Sequence, residues 1–80
     1  MKTYEIDYTA PVAILRKSRI DRYRFANIYK VKYQAAFLIH IVGTKDTLFG
    51  DVEQVMNYAR NNNLKLDAMN ARGRKFFPAI

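Results

Sequence analysis

His40 is the single histidine of the chain, Ser18 its single serine, and there is no cysteine. A histidine can act as a general base or as a pH-responsive group. A base needs a nucleophile or an orienting partner, and none is marked near His40, which shares its parity with Leu38 and Val42 on an apolar stretch. The simpler expectation is a half-buried ring bonded to a neighbour. Ser18 stands among Arg16, Lys17 and Arg19, so no Ser–His–Asp set can be assembled around it. Without thiolates a structural zinc would depend on carboxylates, which is uncommon. Asp46, Asp51 and Glu53 gather at the start of a helical pattern, where capping and the helix dipole account for them without magnesium. Gly43, Gly50 and Gly73 are isolated, so there is no glycine-rich phosphate loop. A non-enzymatic protein with no cofactor and no metal is therefore expected.

The residues that do concentrate chemistry are cations. "RKSRIDRYRFANIYKVKYQ" (16–34) holds Arg16, Lys17, Arg19, Arg22, Arg24, Lys30 and Lys32 against one acid, Asp21. "RGRK" adds Arg72, Arg74 and Lys75. The whole chain carries a formal charge of +7 over 80 residues, a balance that favours anionic partners. Tyr23, Phe25, Tyr29, Val31 and Tyr33 are odd-numbered; Arg22, Arg24, Lys30, Lys32 and Gln34 are even. On one strand these two sets fall on opposite faces, greasy rings inward and cations outward. Asn27 interrupts the apolar set and suggests a bulge near Ala26–Asn27.

Eighty residues suffice for one domain, and a hydrophobic fraction of 50% is ample for a core. The N-terminus lacks an apolar h-region, and the longest apolar run is far short of a bilayer span. An intracellular, cytoplasmic protein with no membrane partner is expected, in a host cytoplasm if the source is viral.

Period-two alternation marks a strand over 2–9, with Tyr4, Ile6 and Tyr8 on one side. "VAILRKS" (12–18) reads as a second strand, 18–21 as a turn, 22–33 as the two-sided strand, and "AAFLIHIV" (35–42) as a strand covered on both faces. "GTKDT" is a turn by composition. Leu48, Val52, Val55, Met56 and Ala59 form one helical stripe. Asp51 and Gln54 have capping-box spacing, and Asn61–Asn62–Asn63 offers left-handed stop residues. "LKLDAM" closes with a short strand. The expected fold is α+β: a small, mostly antiparallel sheet of three to five strands with one α-helix (about 51–61) packed on one face. Residues 1–71 would form the domain and 72–80 a basic and aromatic C-terminal tail. The face opposite the helix would then hold the basic even-numbered residues.

Two functional classes follow. One is nucleic-acid binding, largely without sequence preference, through Arg16, Lys17, Arg19, Arg22, Arg24, Lys30 and Lys32 with help from Arg72, Arg74 and Lys75. Parity places rings and cations on opposite faces, which weakens stacking on bases and leaves a backbone clamp. RNA-recognition and helix-turn-helix signatures are absent. The other class is a stoichiometric inhibitor or regulator that docks on an acidic protein surface or a nucleoprotein complex, with Arg and Tyr as anchors. In size and composition the chain resembles phage-encoded accessory factors, anti-CRISPR proteins among them. A homodimer through exposed strand edges or the "FFPAI" end is a further possibility.

Overall fold

Asp51 and Gln54 form the capping box their spacing implies. The Asp51 carboxylate accepts from the Gln54 amide at 2.8 Å, and the Gln54 side chain accepts from the Asp51 amide at 2.9 Å. These bonds satisfy two amides that a helix start leaves open. Helix α1 then runs Val52–Asn61, buries Val55 and Ala59, and stops where Asn63 turns left-handed at φ 55°. The stripe is one member shorter than its spacing suggests, because Leu48 belongs to a strand.

The computed structural model describes residues 5–18, 20 and 22–77. Six strands are present among them: β1 Ile6–Asp7, β2 Ala13–Arg16, β3 Ala26–Val31, β4 Phe37–Ile41, β5 Thr47–Gly50 and β6 Lys65–Ala68. Every pairing is antiparallel, in the order β5-β4-β3-β2-β6, with β1 beside the far end of β3. The molecule is thus a small α+β fold with a mostly antiparallel sheet. Of the strand expected over 2–9, residues 2–4 lie outside the described residues, and of 5–9 only Ile6–Asp7 is strand.

β1 and β2 share one edge of β3. Asp7 faces Lys30 and Ala13 faces Ile28, so Tyr8–Val12 stand opposite Tyr29 alone. This large bulge, with Pro11 inside it, lets the chain leave the sheet and return.

Both helices lie on one face. There Val12, Ala13, Leu15, Ala26, Ile28, Phe37, Ile39, Val55, Ala59, Leu64 and Phe77 form the core. Full burial of a Phe, Leu or Ile side chain contributes about 1.5–3 kcal/mol, and Phe37, Leu15 and Ile28 are all fully buried.

The second helix corrects the expectation of a tail from residue 72. Asn70 caps α2 (Ala71–Phe76) by accepting from the Gly73 amide at 2.9 Å, and Phe77 is only 3% exposed. Phe76 and Phe77 pack on Phe37 with ring centroids 5.3 and 4.9 Å apart. Gly73 permits this docking: a Cβ there would stand 1.8 Å from the Val12 carbonyl oxygen. Pro78–Ile80 lie outside the described residues.

Candidate nucleic-acid interface

The pleat of β3 runs opposite to the expected phase. Ala26, Ile28 and Lys30 point to the helix-covered face, whereas Asn27 and Tyr29 point to the open one. Arg22 and Arg24 do not belong to the strand, which starts only at Ala26; they are exposed in the loop before it. Within the strand Ala26, Asn27 and Ile28 carry the true phase, while Tyr29, Lys30 and Val31, together with Arg22 and Arg24 outside it, carry the inverse signal.

Lys30 is the clearest correction, because it cannot join an exposed basic face. It is 8% exposed. Its ammonium donates to the Val31 carbonyl at 2.6 Å and to the Gln34 carbonyl, and it lies 5.8 and 5.6 Å from the Phe37 and Phe76 ring centroids. The alkyl stem packs in the core while the head reaches carbonyls of the following turn. Burial, and secondarily the charge of Arg72, push its pKa below the ordinary lysine value.

The remaining candidates divide between the two ends of the sheet. At one end β2 finishes and β3 begins, and there lie Arg16, Lys17, Arg22 and Arg24; Arg19 lies outside the described residues. At the other end lie Lys32, in the β3–β4 turn, and Arg72, Arg74 and Lys75 on α2. Six residues of β3 separate the two groups, about 17 Å at the usual rise per residue. Among the described residues, two of the cations also have carboxylate partners. Arg16 is paired with Asp67, its Nε donating at 3.0 Å, and Arg72 donates to Asp7 at 3.1 Å. Hydrogen bonds from Thr9, followed by Arg72, hold the Asp7 carboxyl below the usual aspartate range.

What the inverted phase removes from the basic set, it returns as aromatics on the open face. Leu38 forms the floor there, facing Tyr29 on one side and Phe49 on the other. The bulge of Tyr8–Val12 brings Tyr8 over Tyr29, ring centroids 5.1 Å apart in an edge-to-face contact. Tyr8, Tyr29, Leu38, His40, Lys45 and Thr47 line a groove of ≈ 360 Å³. Tyr8 and Phe49 are 64% and 53% exposed, while Leu38 is 3% exposed beneath its neighbours. His40 faces Asn27 and Thr47, and its Nε2 lies 2.8 Å from the Thr44 carbonyl. A carbonyl can only accept, so Nε2 carries the proton. The half-buried, bonded ring expected for His40 is what the fold provides.

Cations share the open face with this groove. Lys45 comes from the β4–β5 turn. Arg24 reaches the open face, its Nη1 donating to Asn27 Oδ1 at 3.4 Å. Lys65 faces Arg16 across the β2–β6 ladder. Lys45 and Lys65 were missed by sequence reasoning, because each is a lone lysine outside the basic run and only strand register brings it to the others. Lys65 had one usable signal, its alternation against Leu64 and Leu66.

Asp51 and Glu53 occupy the cap and first turn of α1. Among the described residues, no three His, Asp or Glu side chains gather as a metal site would require, and no helix is long and apolar enough to cross a membrane. No protein-family model matches the chain, and comparison with curated proteins and with solved structures returns no match.

Proposed function

We propose that the protein is a non-enzymatic binder of single-stranded nucleic acid, which it receives on the open face of its sheet. The observation that carries this is the sharing of one face by Tyr8, Tyr29 and Phe49 with Lys45, Arg24 and Lys65. Exposed rings present π-faces on which bases stack whatever their identity, and the surrounding ammonium and guanidinium groups neutralise phosphates. Rings and cations can meet the same ligand because they come from different strands and turns. The loop before β3 adds to the surface: Tyr23, 81% exposed, stands between Arg22 and Arg24.

Anisotropy titrations with labelled single-stranded DNA and RNA over a salt series test this. Single strands are expected to bind more tightly than duplex. Three to four phosphate contacts give a log–log salt slope of about −2 to −3. Absence of binding to any single strand at low salt would overturn the proposal.

One observation favours a second class. Ile20 is 92% exposed in the same basic loop, an apolar anchor of the kind a protein partner covers. A stoichiometric inhibitor or regulator would use Ile20, Tyr23, Arg22 and Arg24 against an acidic protein surface. Its signature is one co-purified protein that survives nuclease and high salt.

A further inference from the structure

Across the open face the strands set two rows of side chains. Tyr29 of β3 faces Leu38 of β4, with Tyr8 over Tyr29; two residues along the same strands, Asn27, His40 and Thr47 stand side by side. Leu38 and His40 point the same way on β4, about 7 Å apart. The groove lined by Tyr8, Tyr29, Leu38, His40, Lys45 and Thr47 therefore runs from an aromatic end to a cationic and hydroxylic end, with His40 between them. Its ≈ 360 Å³ lies at the low end of ligand sites, which span about 300–1,000 Å³, and suits one nucleotide rather than several.

The β4–β5 turn fixes the histidine. Thr44 Oγ1 donates to the Ile41 carbonyl at 2.8 Å and accepts from the Asp46 amide at 3.0 Å, and the Thr44 carbonyl lies 2.8 Å from His40 Nε2. Nε2 is the donor in that contact, so in the neutral ring Nδ1 is the acceptor. Among the described residues Thr44 is the ring's one hydrogen-bond partner. The middle of the groove thus offers an acceptor, whereas Lys45 offers an ammonium and Thr47 a hydroxyl at its polar end. An acceptor there is wrong for a phosphate oxygen and right for a hydroxyl.

We infer that the groove selects ribose over deoxyribose, so that the single strand it receives is RNA. A base stacks against Tyr8 and Tyr29, Lys45 and Thr47 hold a phosphate, and the 2′-hydroxyl between them donates to His40 Nδ1. Within a polynucleotide the 3′ and 5′ oxygens are esterified, so the 2′-hydroxyl is the only donor the sugar has. A deoxyribose strand leaves Nδ1 without that partner. Sugar selection rests on the proposed single-strand binding but is tested apart from it.

Anisotropy titrations compare a short labelled oligo-uridine with its 2′-deoxy, 2′-fluoro and 2′-O-methyl forms, the base held constant. The ribose strand is expected to bind about three- to tenfold more tightly than the others, the worth of one hydrogen bond. The 2′-fluoro form keeps the sugar pucker of RNA but has no proton to donate, so its lower affinity isolates that bond. Because the chain has a single histidine, its Nδ1 resonance is assigned without ambiguity. At mildly alkaline pH that resonance shifts further with oligo-uridine than with the deoxy strand. His40→Phe, checked for folding by its amide spectrum, loses the preference for ribose. Equal affinity for the ribose and deoxyribose strands overturns the inference and leaves single-strand binding in place. So does a 2′-fluoro strand that matches RNA, an Nδ1 resonance that answers both sugars alike, or a folded His40→Phe variant that keeps the preference. Failure of all these strands to bind removes single-strand binding itself, and sugar selection with it.

Discussion

Lys30 shows how one side chain can be charged, buried and tolerated. Its ammonium loses water but gains two carbonyls and two ring faces, Phe37 and Phe76. The depressed pKa has a consequence for stability. Between the folded value and the ordinary 10.5, the unfolded chain binds the proton more tightly than the folded one, so folding gains stability as pH rises through that window. Urea unfolding of the parent chain and Lys30→Met, followed from neutral pH towards 10.5, should show the parent gaining on the variant. Parallel pH profiles would mean that the ammonium is not desolvated. The same residue explains why the open face was misread from sequence. Lysine types as a surface residue, yet four methylenes let it begin in a core and end at a turn. Ile28 and Asn27 hold the true phase, against Tyr29, Lys30 and Val31 within the strand and against Arg22 and Arg24, which are loop residues.

At the scale of elements, legibility followed length and local chemistry. Helix α1 was readable because its cap, stripe and stop all lie within its own sequence. β2, β4 and β6 were readable as short apolar or alternating runs. β5 and α2 were not: four residues of strand and six of helix carry too little periodicity, and both owe their form to partners distant in sequence. Helices this short are marginal alone and exist through tertiary packing. For α2 that packing depends on Gly73 lying against the Val12 carbonyl. Gly73→Ala should therefore destabilise the protein by about 1–3 kcal/mol or more, as overpacking does. Phe77→Ala, which empties a core site, should cost about 3–5 kcal/mol. Chemical denaturation reads both, and wild-type stability in either would show α2 to be a loose appendage after all.

For the whole molecule, the antiparallel order β5-β4-β3-β2-β6 determines which charges and rings can cooperate. One continuous basic patch was expected from 16–34, but the strands carry its members to opposite ends and Lys30 inside. Register instead assembles Tyr8, Tyr29 and Phe49 with Lys45, Arg24 and Lys65, residues spread from the bulge after β1 to the start of β6. That grouping exists only after folding, because no segment of sequence contains it. It also places the helices and the proposed binding face on opposite sides, so a ligand there need not disturb the core.

Amide chemical-shift mapping during titration with a single-stranded oligonucleotide tests the central claim most directly. Shifts gathered on Tyr8, Tyr29, His40, Lys45, Phe49 and Lys65, with α1 silent, are the predicted outcome. Shifts concentrated on the exposed side of α1, or no shifts at saturating oligonucleotide, would contradict it.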